Sequence, residues 1–269
     1  MLKLAGIQMQ CGANPADNLK RALDLAALAA ERGARAIGFA QLFSLPWFPC
    51  GRDPEAFQLA EPLDGPTVEA LRAFARSAGV VVIGSVFERA GADHYNTAVV
   101  VECDGAVVGT YRKLHVPQIP LWEERFYFKP GCDLPVFATS VGRIGVQICW
   151  DNFFPEASRI LALRGAQILF APTASAFASH PRWERMISAN AIANNLFVLR
   201  VNRVGQEPQQ EFYGKSFCVD PYGELITLPA AARDAIVFAE IDLNAVQETR
   251  DIWPFLADRR PDAYGDLVR

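Results

Sequence analysis

The sequence predicts an α/β fold with mixed strands in one domain. Three observations carry this. Helical and strand signals alternate from end to end, tight-hairpin signals are interleaved with crossover-length helices, and no Ser/Gly/Pro-rich linker, internal repeat or low-complexity tract divides the chain. The 269 residues are 51% hydrophobic and 21% charged, the balance of an ordinary globular protein. A chain of this length buries roughly three quarters of its unfolded surface, so it needs no disulfide or metal in order to fold.

Met1–Met9 alternates as a strand, and Asn14-Pro15 then supplies an N-cap and first helical position, with Asp17 in the first turn. Leu19, Leu23, Ala26, Ala27 and Ala30 form one helical stripe that Gly33 stops. Ala36–Gln41 reads as a short apolar strand, and Pro66 opens a second helix, with Leu71, Phe74, Ala75 and Ala78 on one face, ended by Gly79. Strand-like runs follow at Val80–Phe87, Tyr95–Glu102 and Ala106–Lys113. Asp104-Gly105 marks a tight turn between the last two. Later come a strand at Arg143–Ile148, a helix from Pro155, a strand at Gln167–Ala171 and a helix around Trp183–Asn195. Strands at Leu196–Asn202, Phe212–Val219 and Ile236–Ile241 complete the pattern.

Composition excludes several classes. The 26 Lys+Arg against 30 Asp+Glu give a net charge of −4, and the compact basic spot Arg259-Arg260 is flanked by Asp258 and Asp262. That balance argues against nucleic acid and anionic membrane as partners. The longest apolar run, Ala78–Phe87, is half the roughly 20 residues needed to span a bilayer. Met1–Met9 lacks the basic lead of a signal peptide. Six scattered cysteines without a CxxC pair then read as reduced thiols in a cytoplasm.

The common motifs fail. Gly214-Lys215-Ser216 lacks the glycine of a phosphate loop, since position 209 is Gln209, and Gly214-x-Ser216-x-Cys218 lacks the last glycine of a nucleophile elbow. His94, His115 and His180 have no ligand spacing and read as structural residues; no metal or nucleotide signature appears, so no cofactor is expected. What remains is Cys149, placed just after a strand, with Pro155 starting a helix six residues later. The carboxyl end of a strand is where open α/β sheets put their sites. Taken alone, such a thiol is more often a buried structural one.

Ile148-Cys149-Trp150-Asp151-Asn152-Phe153-Phe154-Pro155-Glu156 closely resembles the nucleophile segment of the nitrilase superfamily of carbon–nitrogen hydrolases. Tyr111-Arg112-Lys113-Leu114-His115-Val116-Pro117 is similar to its catalytic-lysine segment, and Trp122-Glu123-Glu124-Arg125-Phe126-Tyr127-Phe128-Lys129-Pro130-Gly131 to the segment carrying its supporting glutamate. Asn202-Arg203-Val204-Gly205, Phe212-Tyr213-Gly214 and the tail from Trp253 to Tyr264 extend the match over nearly the whole chain, in order. The Cys-Trp-Asp, Phe-Tyr-Phe and Asp-Arg-Arg-Pro segments lean to the branch of N-carbamoylputrescine amidohydrolases and β-ureidopropionases. Val116-Pro117-Gln118-Ile119-Pro120 and Lys215 depart from that branch.

The resemblance implies a four-layer αββα sandwich of two mixed sheets and subunits that pair through their helical layers, and residues 251–269, rich in aromatic and Arg residues, are the candidate C-terminal interface arm. It implies Cys149 as nucleophile, Lys113 and the backbone N–H of Trp150 as holders of the oxyanion, and Glu124 as their supporting carboxylate, with neither metal nor organic cofactor. The eleven-residue spacing from Lys113 selects Glu124 over Glu123. The substrate would be a small linear amide or N-carbamoyl compound, with a nitrile as a lesser option.

One departure bears directly on catalysis. The family's general base is a glutamate at the end of an early strand, and the matching segment, Phe39-Ala40-Gln41-Leu42-Phe43, carries Gln41 there. Glutamine has nearly the shape of glutamate but neither accepts nor returns a proton near neutral pH. Two readings stay open: an isosteric Glu→Gln substitution in a working enzyme, or a naturally silent protein that binds a small amide or a protein partner. Lys113 is expected to keep part of Cys149 as thiolate in either case. Trp47, Phe48 and Trp122 are candidates for a pocket mouth, plain packing being the competing reading. Asp151, Glu156 and Glu184 are candidates for a cationic tail, against simpler roles as caps or surface charges.

Overall fold

A computed structural model describes residues 1–176 and 179–268. Six strands form the first sheet, in the order β13-β1-β2-β3-β4-β5. They are β1 (Leu2–Gln8), β2 (Ala36–Phe39), β3 (Val81–Ala90), β4 (Asp93–Val101), β5 (Val107–Arg112) and β13 (Ala235–Ile241). The second sheet runs β12-β9-β8-β7-β6 and comprises β6 (Val136–Thr139), β7 (Gly142–Val146), β8 (Ile168–Thr173), β9 (Phe197–Asn202) and β12 (Phe217–Val219). Both sheets are mixed. β1, β2 and β3 are mutually parallel, as are β7, β8 and β9, and antiparallel strands flank each trio. A separate hairpin pairs β10 (Val204–Glu207) with β11 (Gln210–Tyr213).

The strands alternate between two environments. Leu4, Ala36, Val81, Ile83, Val100, Ile144, Val146, Ile168, Phe170 and Leu199 fill the space between the sheets. Two glycines let the sheets close up. A Cβ on Gly38 of β2 would lie 2.5 Å from the ring of Phe170, and one on Gly6 of β1 would lie 2.8 Å from Val201. The outer face of the first sheet is covered by α1 (Pro15–Glu31) and α2 (Pro66–Ala78), whose Ala22, Ala26, Ala29, Leu71 and Ala75 pack on Ala5, Ile7, Ile37 and Val82. The second sheet carries α4 (Pro155–Leu163) and α5 (His180–Asn194) through Leu161, Ile187 and Ala191. This is the expected αββα sandwich.

The local signals hold for local reasons. Asn14 caps α1 by accepting from the N–H of Ala16, and Gly79 ends α2 in the left-handed region at φ +65°. Two expected elements differ. The second strand stops at Phe39, so Gln41 sits in a turn beyond it. The run Phe212–Val219 is broken into β11 and β12, because Gly214 and Lys215 both take positive φ (+69° and +54°). Apolar alternation carries no information about the sign of φ. Further elements not anticipated are β6, β10, the short α3 (Glu124–Tyr127) and α6 (Asn244–Ile252).

After α6 the chain passes over α4 and α5. Arg259, Pro261, Tyr264 and Leu267 face Ile160, Leu163 and Met186 across a groove of about 960 Å³. Among the described residues, no helix is long and apolar enough to cross a membrane.

Candidate active site

The parallel strands of both sheets end at one edge of the sandwich, and three buried polar side chains meet there. Lys113, directly after β5, is fully buried, and its Nζ lies 2.6 Å from Oε2 of Glu124, the first residue of α3, which is buried as well. The other carboxylate oxygen, Oε1, accepts from Nε2 of Gln41 at 3.3 Å. Since Glu124 offers only acceptors, the amide nitrogen must face it. Oε1 of Gln41 is left buried without a partner among the described residues. Glu123 turns the other way and takes the backbone N–H groups of Gly51 and Leu121.

Cys149 opens a short 3-10 turn, Cys149–Phe153, with φ at +50°. A side chain with a Cβ resists that region, so the turn must be held by its surroundings. Asp151 does this. Its buried carboxylate accepts from the N–H of Ile148, the hydroxyl of Tyr111, and both the N–H and Nδ1 of His115. Tyr111 and His115 flank Lys113 in sequence, so one carboxylate registers the nucleophile turn against the lysine segment. Asn152 adds bonds to the carbonyls of Gln147 and Cys149, and Asn190 of α5 donates to the carbonyl of Asn152. Trp150 is the second residue of the turn, and the first N–H groups of a helical turn have no partner within it.

Gln41 is held differently. The next residue, Leu42, also has positive φ (+50°), and Arg203, fully buried, donates to the carbonyls of Gln41, Leu42 and Leu45 while its Nη1 pairs with Glu207 at 2.5 Å. This Arg203–Glu207 clamp has no local signature in the sequence, although Arg203 lies inside a family-like segment.

Burial raises the Cys149 thiol above its ordinary value; Lys113 pulls it back, Glu124 raises it again, and a backbone hydrogen bond from Ala174 lowers it. The net direction is upward, so the help expected from Lys113 does not offset the loss of solvent. Lys113 goes up: burial alone would lower it, but Glu124 and Cys149 outweigh that.

The thiol opens on a cavity of about 440 Å³, walled by Trp122, Trp150, Phe153 and Trp183, with Pro117 and Ile119 from the departing segment after the lysine. Trp122 lines it and donates to the carbonyl of Ala174. Trp47 and Phe48 do not line it. Phe48 packs among Phe87, Tyr127 and Phe128, and Trp47 sits edge-on to Phe212. Asp151 is a cap within the fold, Glu156 borders the outer groove and Glu184 contacts His180. None of the three lines this cavity, and Lys215 does not either. His115 stacks on Phe154 and serves the structure; Ser175 and Arg182, which no sequence motif singles out, do line the cavity.

A four-layer αββα scaffold with a buried cysteine, lysine and glutamate at one sheet edge defines a class of enzymes that cleave carbon–nitrogen bonds. The carbon–nitrogen hydrolase family model matches residues 3–251, and the chain belongs to that family, the nitrilase superfamily. It is 36% identical to an N-carbamoylputrescine amidase of Solanum tuberosum, over all of this chain and 95% of that one. Among solved structures, a carbon–nitrogen hydrolase from Helicobacter pylori superposes with a TM-score of 0.93 at 35% identity, covering 100% and 98% of the two chains. A Glu→Gln mutant of the amidase from Nesterenkonia sp., with the acetamide moiety of fluoroacetamide added covalently at its active-site cysteine, superposes with a TM-score of 0.84 at 25% identity, covering 97% and 94%.

Proposed function

We propose that the chain carries the machinery for hydrolysing a non-peptide C–N bond in a small linear amide or N-carbamoyl compound through a thioester on Cys149. A base at position 41 removes the thiol proton as sulfur attacks the carbonyl. Lys113 and the N–H of Trp150 hold the oxyanion, and collapse expels the amine or ammonia with that proton. Water then attacks the thioester, loses a proton to the same base and releases the carboxylic acid and the free thiol. A carbamic acid product goes on to lose CO2. Glu124 keeps Lys113 charged and in place.

The observation that carries this reading is the convergence of buried Lys113, Glu124 and position 41, with Cys149 in electrostatic contact with Lys113 and opening on the cavity. Gln41 leaves the last part unable to move a proton. A buried thiol with a raised pKa needs a base, so the chain as it stands is an impaired hydrolase. The covalent adduct in the Glu→Gln mutant from Nesterenkonia sp. supports the expectation that Cys149 here still takes alkylating agents.

The test restores the carboxylate. Gln41→Glu, assayed for ammonia release from a panel of carbamoyl compounds, amides and nitriles, should exceed the Gln41 form by about 10²-fold or more on at least one substrate, the usual worth of a general acid–base. Equal silence of both forms across the panel rejects the hydrolase. The second reading, a silent binding protein, is favoured by Gln41 itself, and it predicts ligand binding with no acyl adduct in either form.

The same reading takes residues 1–269 as one catalytic domain acting in the cytoplasm, and as a homodimer or larger homo-oligomer joined through its helical layers. The segment from about 251 to 269 is its interface arm. Exposed Ile252, Trp253, Tyr264 and Leu267 on that segment support the oligomer. Gel filtration showing a stable 29.6 kDa monomer removes it.

A further inference from the structure

The cavity beside Cys149 has one wall unlike the rest. Most of its lining is aromatic or aliphatic, and Arg182 is the one charged side chain among the described residues that line it. Arg182 is the third residue of α5, a fifteen-residue helix that enters the cavity wall at its N-terminal end, where Ser179, Arg182 and Trp183 all face the space. The N-cap, Ser179, makes no side-chain cap bond, its hydroxyl donating instead to the carbonyl of Ala176, and the first turn holds no acidic residue. A helix start of this kind presents positive potential and, except at Pro181, N–H groups without partners inside the helix.

A second feature points the same way. Ser175 is only 4% exposed and lines the cavity, yet its hydroxyl has no partner among the described residues. Its backbone is locked on both sides, its N–H donating to Oδ1 of Asn202 and its carbonyl accepting from Nδ2 of the same residue. The backbone that carries the side chain is therefore fixed, the hydroxyl has no partner among the described residues, and a buried hydroxyl is seldom left without a use. A diamine tail would find no counter-charge here, because no carboxylate lines this cavity among the described residues. A carboxylate would find a guanidinium, a hydroxyl and a helix N-terminus.

We propose that Ser175, Arg182 and the N-terminal turn of α5 form an anion subsite that holds a carboxylate at the far end of the substrate. The substrate class is then a ureido or amido acid, and ureido amines are disfavoured. This rests on the hydrolase reading for the chemistry, but the subsite itself can be tested by binding alone.

The experiment alkylates the protein with iodoacetamide, follows the adduct on the Cys149 peptide by peptide mass mapping, since Cys132 is exposed and Cys50 and Cys103 are half-buried, and measures protection by a matched pair: a four-carbon ureido acid, 4-ureidobutyrate, and the ureido amine N-carbamoylputrescine. Each variant is normalised to its own rate without ligand. The acid should protect at a concentration about tenfold or more below the amine, the worth of one charge-assisted hydrogen bond. Arg182→Gln should abolish that preference, Ser175→Ala should reduce it, and Arg182→Lys should restore part of it. Arg182 is exposed, so its replacement leaves the core intact. The proposal is overturned if the amine protects equally or better, if neither compound protects at millimolar concentration, or if the acid's advantage survives Arg182→Gln. Failure of the hydrolase reading is separate, because it shows as silence of Gln41→Glu in ammonia release, which protection does not require.

Discussion

The turn that carries Cys149 and the turn that carries Gln41 face the same buried Lys113–Glu124 pair, but they are built on opposite plans. The nucleophile turn is held by Asp151, with partners 3 to 40 residues away in sequence. The Gln41 turn is held by Arg203, whose partners among its carbonyls lie 158 to 162 residues away. Both turns force a non-glycine residue to positive φ, Cys149 in one and Leu42 in the other. The nucleophile side thus carries its own support, whereas the base side borrows its support from the second sheet. The hydrogen bonds also differ in completeness. Both oxygens of Asp151 are occupied, while Oε1 of Gln41 has no partner among the described residues.

The largest effect should come from breaking the pair on which both turns converge. Lys113→Met leaves Glu124 buried and without its cation, which costs about 3–5 kcal/mol in such settings. Urea unfolding should show that loss, and in the Gln41→Glu background turnover should fall by a further ~10²–10³ as the oxyanion loses a donor. Retained stability would mean that Glu124 takes up a proton instead, and the Lys113–Glu124 contact would then not be the anchor of the site.

Arg203→Met attacks the base side alone. Glu207 is left buried without its cation, keeping only the backbone N–H of Trp47, so the cost is again about 3–5 kcal/mol at most. In the Gln41→Glu background, activity should fall more than iodoacetamide labelling of Cys149 does, because only the base turn is released. Equal loss of both would show that the two turns are not independently supported.

Asp151→Asn attacks the nucleophile side. One amide oxygen cannot replace two carboxylate oxygens that take four donors, and the amide N–H groups then face other donors. About 1–3 kcal/mol of stability should be lost. Labelling of Cys149 should change more than it does in Arg203→Met, the reverse of the base-side pattern.

This contrast also explains what was legible in the sequence. The nucleophile turn, Lys113 and Glu124 lie in contiguous family-like segments, so the spacing that the resemblance implies selects Glu124 over Glu123. Gln41 is legible as a position within a motif, but the expected strand runs two residues too long, because Ala40 continues the apolar run and nothing local shows where pairing ends. The Arg203 clamp is invisible to local reading, since nothing near residue 203 says which distant carbonyls it will meet. Ser175 and Arg182 share that fate: a serine and a surface arginine become a cavity wall only when β8 and α5 are set against Trp122. The break between β11 and β12 was missed because Lys215 gives no hint of a left-handed backbone.

The smallest effect is a shift in pH dependence, and it tests how the base side was meant to work. The amide of Gln41 sits 3.3 Å from Oε1 of Glu124. A glutamate there would bring two carboxylates together, and like charges that close favour keeping one of them protonated. In Gln41→Glu the acidic limb of kcat/KM should therefore lie above the ordinary carboxylate range, with activity lost as pH falls through that raised value. Adding Glu124→Gln removes the repulsion and leaves Lys113 facing position 41 directly, so both changes favour the ionised base and the limb should move down by about one pH unit or more. Glu123→Gln, whose carboxylate serves the backbone of Gly51 and Leu121, should leave the limb where it is. If Glu123→Gln moves the limb and Glu124→Gln does not, the wrong glutamate has been assigned to the base, and the proximity seen at Gln41 does not govern its chemistry.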